Sequence, residues 1–309
     1  MKIFDFFKGL FKSRDKPQNS YYYSGAPFLF GRSISGKTVN ETTALQISAV
    51  FACCKILAES VACLPLHVYQ QDGKGNKTLA TKHPLYYLLH DSPNPEMTAY
   101  TFKENTMLHL LLNGNSYSQI VIRDDRIIGL YPLISNRMTV KRDDSGEIVY
   151  TYRPSTGENT HMKKPEEVTL RRQDVLHIPA LGFDGVIGFS PIAMARNAIG
   201  VAIATEEFGA KFFENGARPS GVLEHPDTVK NFDKLREEWQ KVYGGSQNAG
   251  KVAILEEGMK YQQISIPPND AQFLDTRKFQ IAEIARIFRV PLHMLNELDR
   301  LWKNKSAKI

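Results

Sequence analysis

One long apolar segment, residues 191–216, constrains this sequence more than any other feature. It reads PIAMARNAIGVAIATEEFGAKFFENG and predicts a helix of about 40 Å, at about 1.5 Å per residue. Between Ile192 and Ala204 the only strongly polar side chains are Arg196 and Asn197. A helix this apolar must be covered on most sides, either by a large core of its own chain or by neighbouring subunits. Periodicity alone does not choose between the two.

Small residues recur along the same predicted helix, and its two ends carry recognisable signals. Ser190 is a suitable N-cap, Pro191 fits the first turn, and Gly216 suits a C-cap. The small residues are Ala193, Ala195, Ala198, Gly200, Ala202 and Ala204.

The composition excludes several classes of protein. The chain has 309 residues, of which 42% are apolar and 23% charged, as in a globular protein of about two domains. No stretch approaches the roughly 18 consecutive apolar residues that a membrane span needs, which excludes an integral membrane protein. The net charge of +6 permits contact with nucleic acid or anionic lipid without requiring it. Three cysteines exclude a disulfide scaffold, and we predict that Cys53, Cys54 and Cys63 are buried, reduced packing residues.

The N-terminal segment, residues 1–40, is predicted to lie apart from the core. Residues 1–12, MKIFDFFKGLFK, place their apolar side chains near one face of a helix and most of their lysines near the other. This pattern fits either an arm that docks on another protein or a helix at a membrane surface. Residues 13–40 are rich in Ser, Gly, Tyr, Lys and Asn and are predicted to form a tether.

The body of the chain alternates between helical and strand periods, which predicts an α+β fold. Helical patterns dominate up to residue 113, where Gly114 is predicted to end a helix, and strand patterns follow. The predicted helices cover residues 41–62, 83–90 and 98–113. The predicted strands cover residues 64–70, 116–123, 127–131, 137–142, 147–153 and 175–178.

A compact αβ insert is predicted after the long apolar helix, over residues 217–266. It contains strands near 220–223, 251–255 and 260–266 and a helix over 226–243. Pro267 and Pro268 end it, and a second long helix follows over about 269–289. The apolar stripe of that helix consists of Ile281, Ile284, Ala285 and Phe288.

No residue pattern predicts a catalytic, cofactor or metal site. The glycines of 182–191, GFDGVIGFSP, fit neither a dinucleotide loop nor a phosphate loop. Ser190 resembles a nucleophile elbow, but Ile192 stands where the closing glycine belongs. The aspartate pairs at 124–125 and 143–144 are explained by hairpin turns. His83 and His90 could share a helix face, although capping explains them more simply.

Segments spread over most of the chain resemble the portal proteins of tailed bacteriophages. They occur in the same order as in that family and extend over some 250 residues. These segments are TALQISAVFACCKILAESVACLPLHVY at 43–69, HPLYYLLHDSPNPEMTAYTFKE at 83–104, GNSYSQIVIR at 114–123, GLYPL at 129–133, VLHIPALGFDGVIGFSPIAMARNAIGVA at 175–202, FFENGARPSGVLEHP at 212–226, GKVAILEEGMKY at 250–261 and DAQFLDTRKFQIAEIARIFRVPLHML at 270–295.

The resemblance implies a homo-oligomeric ring, usually dodecameric, at one capsid vertex, through which DNA is packaged and later ejected. It also implies a wing over residues 41–189, stem helices over 190–216 and 269–290, and a clip over 217–268 where terminase and then head–tail adaptor proteins dock. On this basis the small residues of the first stem helix are candidates for packing between subunits. The implied partners are the terminase large subunit, an adaptor, the major capsid protein and double-stranded DNA, with no membrane required. The implied location is the virion, and the host cytoplasm during assembly.

The C-terminal segment departs from the family pattern. After the segment that ends at Leu295 the family continues through a channel loop, a further wing helix and a crown. Here residues 291–309 are expected to hold a truncated remnant of that region, and the crown is expected to be missing. The residues from 296 to 309 are polar and basic and show no core periodicity.

A DNA conduit should contact only the phosphate backbone, since base readout would hold the duplex in place. Cationic side chains in or beside the stem and clip are therefore candidates for the channel, although interleaved glutamates also fit a solvated, salt-bridged helix face. The candidates are Lys211, Arg218, Lys230, Lys234, Arg236, Lys241 and Lys251.

Two other functions remain as alternatives to the portal hypothesis. One is a peripheral membrane protein that binds through the amphipathic helix of residues 1–12. The other is a hydrolase acting through Ser190 or the paired aspartates. Because no catalytic constellation is present and no phosphate loop is found, we expect a structural protein and not an enzyme.

Overall fold

The computed structural model describes residues 32–154, 167–214, 221–226, 232–243, 254–255, 258–263 and 270–297. The described residues form two units. The first comprises residues 40–195, and the second comprises 32–39 together with those from 196 onward. Helices and strands occur in both, which confirms the predicted α+β class.

The described part of the first unit contains five α-helices, two 3₁₀ turns and eight strands. The helices are α1 Glu41–Leu45, α2 Ser48–Ala62, α3 Pro84–His90, α4 Ala99–Asn113 and α5 Pro191–Met194. The 3₁₀ turns are Ser135–Arg137 and Arg172–Asp174. The strands are β1 Tyr69–Gln71, β2 Lys77–Leu79, β3 Asn115–Arg123, β4 Arg126–Leu133, β5 Met138–Arg142, β6 Ile148–Tyr152, β7 Val168–Arg171 and β8 Val175–Pro179.

The strands of the first unit form antiparallel sheets. β1 and β2 make a hairpin, and the two larger sheets have the orders β4-β3-β8 and β5-β6-β7. In β3, Tyr117 lies opposite Leu133 on one side and His177 on the other. The core cluster of this unit takes residues from both larger sheets. Its buried members are Tyr117, Leu133, Val140, Tyr150, Leu170 and Val175.

Local capping explains where several helices begin and end. The Nδ1 atom of His83 accepts a hydrogen bond from the Leu85 amide at 3.2 Å, which caps α3. Thr98 caps α4 through the Thr101 amide at 3.2 Å, and Gly114 ends that helix with a φ of 73°. Gly114 is required for a second reason as well. A Cβ there would lie 2.0 Å from the carbonyl oxygen of Phe189.

Two of the sequence predictions for the first unit are wrong in detail. The helix predicted over 41–62 is interrupted at Ile47, which adopts an extended backbone and buries its side chain. The strand predicted over 64–70 is reduced to Tyr69–Gln71. Pro65 has no amide hydrogen for a sheet ladder, and Leu64 remains 62% exposed, so this stretch lacks the buried face that a strand needs.

Two short strands escape prediction. β2 lies outside every predicted strand, and all three of its residues are exposed. In β7 only Leu170 is buried, so the sequence carries too little apolar alternation to show a strand.

Two of the three cysteines behave as predicted. Cys53 and Cys54 are free thiols buried in α2. Burial raises the pKa of Cys53 to about 11, and burial together with the neighbouring Cys53 raises the pKa of Cys54 to about 12. Both thiols therefore stay protonated. Cys63 is exposed, which contradicts the prediction, because it follows the last residue of the helix as its C-cap.

The second unit contains two long helices and a small αβ insert. Its described elements are α6 Arg196–Glu214, β9 Gly221–Glu224, α7 Phe232–Tyr243, β10 Lys260–Gln263, α8 Asp270–Phe288 and a 3₁₀ turn at Leu292–Leu295. β9 and β10 pair antiparallel, with Leu223 opposite Tyr261. Residues 254–255 are not in a strand, while most of that predicted strand and the expected cap at Gly216 lie outside the described residues.

The predicted helix over 191–216 is broken at Ala195, which is a correction. α5 ends at Met194, Ala195 has a φ of −87° and a ψ of 6°, and α6 begins at Arg196. The break coincides with the division between the two units. Alanine is a strong helix former, so nothing in the local sequence signals the break.

The end of α8 confirms its predicted stripe and stop. Of the predicted stripe, Ile284, Ala285 and Phe288 are buried, and Ile281 is half-buried. Arg289 takes the left-handed conformation at a φ of 57°. The Val290 amide then donates to the carbonyl of Ala285 at 2.9 Å, which makes a Schellman-type end before Pro291.

A buried hydrogen-bond chain joins the two larger sheets of the first unit. The Nε2 atom of His177 lies 3.1 Å from Asn115 Oδ1, which also accepts the Gly188 amide at 2.8 Å. Nε2 must therefore donate, which leaves Nδ1 to accept from the Tyr150 hydroxyl at 3.3 Å. This chain fits a neutral imidazole. Burial, with a smaller contribution from the charge of Arg172, lowers the pKa of His177 to about 4.

The His177 pKa predicts that acid destabilises the protein. An unfolded histidine takes up its proton near pH 6.5, whereas folded His177 resists protonation down to about pH 4, so the free energy of unfolding should fall as the pH drops through that window. We expect His177 to account for about 1–3 kcal/mol of this loss. Denaturant unfolding of the wild type and His177→Gln from pH 7 to 4 measures it. The variant should be less stable at pH 7, and the difference should shrink towards pH 4. Parallel pH profiles would show that His177 is not the responsible group.

Candidate functional site

Helices α6 and α8 correspond to the two long helices that the sequence predicts, and they pack against each other in the second unit. Phe208 of α6 faces Phe273 of α8, with ring centroids 6.3 Å apart. The Phe273 ring packs against α6 at Gly209. A Cβ at Gly209 would lie 2.7 Å from the Phe273 Cζ atom. The two helices therefore approach closely where one of them lacks a side chain.

The small residues are distributed over both units. Ala193 is half-buried in α5, and Ala195 is buried at the break. In α6, Gly200 and Ala202 are buried, while Ala198 and Ala204 are half-buried.

Gly200 receives a segment of its own chain. A Cβ at Gly200 would lie 2.3 Å from Ser33 Oγ and 2.4 Å from Ser33 Cβ. Ser33 belongs to a tight turn over residues 32–38, here called the hook, in which Arg32 and Thr38 form a β-bridge. Gly36 allows the turn with a φ of 75°. At Gly200, therefore, close approach of the chain to itself explains the glycine.

Polar contacts fix the hook on α6. The Ile34 amide donates to Asn197 Oδ1 at 3.2 Å. Lys37 forms an ion pair with Glu207, and this contact lowers the pKa of the Glu207 carboxyl. Because both side chains are partly exposed, the ion pair helps to position the hook on α6 and adds little to the free energy of unfolding.

A shallow groove of about 360 Å³ lies beside the hook on the helix pair. Two of its apolar residues keep much of their surface in solvent, with Val201 38% and Phe208 53% exposed. The residues that line it are Ser35, Val201, Ala204, Thr205, Phe208, Phe273 and Thr276.

The cationic candidates do not form one cluster among the described residues. Lys211 is exposed on α6, and Lys241 is exposed on α7. In α7, Lys234 lies 3.9 Å from Glu238, and Arg236 lies 3.9 Å from Asp233. These two contacts favour the salt-bridged interpretation for Lys234 and Arg236. Arg218, Lys230 and Lys251 lie outside the described residues.

The glycine-rich segment over 182–190 is a folded loop in which side chains bind several backbone amides. Asp184 Oδ1 accepts the amides of Val186 and Ile187 at 2.9 and 3.0 Å. Ser190 Oγ accepts the Ala193 amide at 3.1 Å and donates to the Leu112 carbonyl at 2.5 Å. Ser190 therefore has the predicted N-cap role, with its hydroxyl committed to a backbone oxygen.

The paired aspartates are turn residues. Asp124 and Asp125 have φ values of 50° and 58° between β3 and β4. Asp143 Oδ1 accepts the amides of Ser145 and Glu147, each at 2.9 Å. This is the turn chemistry that the sequence predicts for both pairs.

The predicted histidine pair is split between separate roles. His83 caps α3. His90 instead stacks against both His67 and Tyr86, with centroids 5.0 and 5.1 Å away, and its Nδ1 atom lies 3.0 Å from Asp91 Oδ1. Across the described ranges no group of three or more His, Cys, Asp or Glu side chains could hold a metal ion. Within the same ranges no helix is long and apolar enough to cross a membrane. The amphipathic segment over 1–12 lies outside the described residues.

Comparison with known proteins decides the family. A model of the family described as phage portal protein matches residues 48–307. The chain belongs to the phage portal protein family. The probable portal protein of Streptomyces phage phiC31 is 38% identical over 276 residues, which is 85% of this chain and 58% of the relative. The portal protein of Enterobacteria phage HK97 is 33% identical over 273 residues, 86% of this chain and 62% of the relative.

Solved structures share the fold of this chain. One, the neck of an empty gene transfer agent particle computed with C6 symmetry, has a TM-score of 0.57 and 24% identity, covering 86% of this chain and 72% of that one. Another, the crystal structure of an HK97 family phage portal protein from Corynebacterium diphtheriae, has a TM-score of 0.56 and 13% identity, covering 86% and 80%. The chain spans about three fifths of the length of the two phage relatives, 58% and 62%.

The hook is the feature that sequence reasoning missed. The sequence predicts a tether over residues 13–40, yet Ser33, Gly36 and Lys37 make specific contacts within the second unit. The signal present in the sequence is the serine–glycine turn pattern of SISGK at 33–37. Its partner Gly200 stands out as a small residue, but periodicity does not assign its contact.

Replacing Gly200 tests the docking of the hook. In Gly200→Ala the new Cβ must displace Ser33, whereas in the matched variant Gly209→Ala it meets only the movable end of the Phe273 ring. Both gain the helix propensity of alanine. We expect Gly200→Ala to weaken hook docking by about 1 kcal/mol or more, so that trypsin cuts after Lys37 severalfold faster than in the wild type. Gly209→Ala should resemble the wild type. Equal cleavage of the two variants would mean that the hook does not depend on Gly200.

Proposed function

We propose that this chain is a portal protein, the ring at one capsid vertex through which double-stranded DNA enters and leaves the head. The observation that carries the proposal is the family match over residues 48–307. The ring would be homo-oligomeric and usually dodecameric. The exposed apolar surface on α6 and α8 supports an oligomer, since such a surface calls for a covering partner.

The parts of the proposed portal follow the two long helices. Residues 190–216 and 269–290 would be the stem, 217–268 the clip, 41–189 the wing and 291–309 the start of the channel-loop region. Two 19-residue helices, α6 and α8, flank a small αβ insert, which supports this division.

The small residues would serve packing both within and between subunits. Gly200 is used within the chain, by the hook. Ala198 and Ala204 retain exposed surface, and Ala204 lies beside the exposed Phe208 in the shallow groove. We assign these two alanines, with Val201 and Phe208, to the contact with a neighbouring subunit.

The DNA channel would act through a weak electrostatic field. A conduit must guide phosphates without holding bases, because base contacts would fix the duplex in register. Helix α7 carries three basic and three acidic side chains, so its net charge is near zero. A few cations per subunit, repeated around a ring, then suffice for guidance. Lys211 and Lys241 are the described candidates, because no ion pair of 4.0 Å or less engages either of them in the described chain.

The proposed portal has the partners of a packaging machine and no catalytic role of its own. Terminase and then a head–tail adaptor would dock at the clip, and the major capsid protein would surround the ring. The protein would reside in the virion, and in the host cytoplasm during assembly. The commitment of Ser190 to capping α5 and of the paired aspartates to turns supports a structural role.

Duplex binding across a range of salt concentrations tests the DNA channel. We expect the full chain to bind two unrelated duplexes equally and weakly, with an affinity that falls as salt rises, because phosphate contacts release counterions. In Lys211→Gln the slope of log K against log salt should become shallower by about 0.9 for each phosphate that the variant no longer neutralises. The matched variant is Lys55→Gln, an exposed lysine of α2 that lies 3.7 Å from Glu59, and it should keep the wild-type slope.

Two results would contradict this account of the channel. Unequal affinity for the two duplexes would indicate base readout, which a conduit should avoid. Identical slopes for the Lys211→Gln and Lys55→Gln variants would remove Lys211 from the channel.

A further inference from the structure

The β1–β2 hairpin of the first unit leaves both of its strands in solvent. Every residue of Tyr69–Gln71 and Lys77–Leu79 is exposed, although a two-stranded hairpin on its own is only marginally stable in water. The ring of Tyr69 is 56% exposed. The hairpin therefore offers side chains to solvent that the fold of its own unit does not bury.

One face of the hairpin carries an aromatic ring and a lysine. In the strand register Tyr69 lies opposite Leu79, and Gln71 lies opposite Lys77. Directly opposed residues share a face of the sheet, and so do residues two apart in one strand. Tyr69 and Lys77 therefore lie on the same side of the hairpin.

Three more rings connect Tyr69 to α3. His67 meets Tyr69 edge to face, with centroids 6.2 Å apart. The His67 ring also lies nearly parallel to those of Tyr86 and His90, at 6.1 and 5.0 Å. His67 is exposed, while Tyr86 and His90 are half-buried. These four rings, here called the ring patch, attach the hairpin to α3 and still keep part of their surface in solvent.

Three exposed lysines belong to the hairpin and the segment that follows it. Lys74 lies in the hairpin turn, Lys77 in β2, and Lys82 between β2 and α3. In the part of the chain that the structure describes, no carboxylate lies within 4.0 Å of any of the three ammonium groups. Their charges are therefore available to an external anion.

Two carboxylates lie in the same stretch of chain, and each has a partner. Asp72 Oδ1 accepts the amides of Lys74 and Asn76 at 2.9 and 2.8 Å. Asp91 Oδ1 lies 3.0 Å from His90 Nδ1. With neutral histidines, residues 67–91 carry three lysines and two aspartates, which leaves an excess of positive charge beside the ring patch.

Exposed rings beside free cations are the two elements that bind single-stranded nucleic acids, because bases stack on the rings and phosphates pair with the cations. A duplex offers its phosphates but not its base faces, and an acidic peptide offers charge alone. The combination on this face therefore fits a single strand better than either of the others.

We propose that the ring patch and Lys77 bind single-stranded DNA, with one base stacked on Tyr69. The choice of DNA rests on the proposed portal function, whereas the binding mode rests on the rings and lysines themselves. The ring patch belongs to the first unit, and the channel candidates Lys211 and Lys241 belong to the second. The two sites therefore have separate tests.

Fluorescence anisotropy of a labelled oligothymidylate of about 12 nucleotides, a length within the usual range of single-strand sites, tests the proposal. We expect the full chain to bind this strand severalfold more tightly than the duplex that the same strand forms with oligodeoxyadenylate. The duplex has the higher density of phosphate charge, so binding by charge alone would give the opposite order.

Matched tyrosine variants locate the stacking contact. Tyr69→Ala should weaken binding of the single strand about tenfold, as expected for the loss of one stacked base. Tyr69→Phe keeps the ring and should bind like the wild type. Tyr87 is 61% exposed on α3 and lies outside the ring patch, so Tyr87→Ala should also bind like the wild type.

A lysine variant gives a second measurement that leaves every ring in place. In Lys77→Gln the slope of log K against log salt for the single strand should become shallower by about 0.7, the change expected for one phosphate contact. Lys55→Gln, on α2 and paired with Glu59, should keep the wild-type slope.

Several results would overturn the proposal. Duplex binding as tight as that of the single strand would show that no base stacks on the protein. Equal binding by Tyr69→Ala and Tyr87→Ala would remove Tyr69 from the contact. Tighter binding of an oligouridylate of the same length would identify RNA as the ligand, and equal displacement by an oligoglutamate would show that only charge is recognised. Duplex binding by the Lys211 variant tests the channel separately, so failure here leaves the proposed portal function standing.

Discussion

The need to cover an apolar helix organises the second unit. From Gly200 to Ala204, α6 presents only small or apolar side chains, and burying such a surface contributes about 25 cal/mol for each Å² removed from water. The chain meets part of the need itself, since the hook packs at Gly200 and Phe273 packs at Gly209. In both places the absence of a side chain lets another segment approach the helix backbone. Val201 and Phe208 remain partly exposed, and their apolar surface is available for contact with a neighbouring subunit.

In the proposed portal, the same constraint would separate the stability of the helix pair from the guidance of DNA. The helix pair is held by apolar contacts such as Phe208 with Phe273, which salt does not screen, so the charged side chains are free for another task. Those of α7 are largely balanced by carboxylates three or four residues away. A balanced surface repeated around a ring would give the shallow potential that a sliding duplex needs. Many unpaired channel cations in each subunit, in contrast to the one or two proposed here, would hold the phosphates.

Much of the fold could be predicted from local patterns, and the failures have physical causes. The strands around Tyr117 and Tyr150 were predicted correctly, although both of their faces are covered: Ser118 is buried beside Tyr117, and Thr151 beside Tyr150. The break at Ala195 could not be predicted, because alanine is a strong helix former and the local sequence carries no stop signal there. The hook was missed because its contacts with α6 join residues more than 160 positions apart. The family could be predicted because the resembling segments occur along the chain in the same order as in the family. The contacts of individual lysines could not, because they depend on side-chain geometry that the local sequence does not determine.

The central claim is that this chain closes into a ring, and its mass in solution tests that claim most directly. Light scattering on the purified chain, with negative-stain images of the same peak, measures both subunit number and shape. The account predicts the mass of a closed oligomer and images of a ring with an open centre. A monomer at every concentration would contradict the claim that this chain encloses DNA, although membership of the portal family would stand.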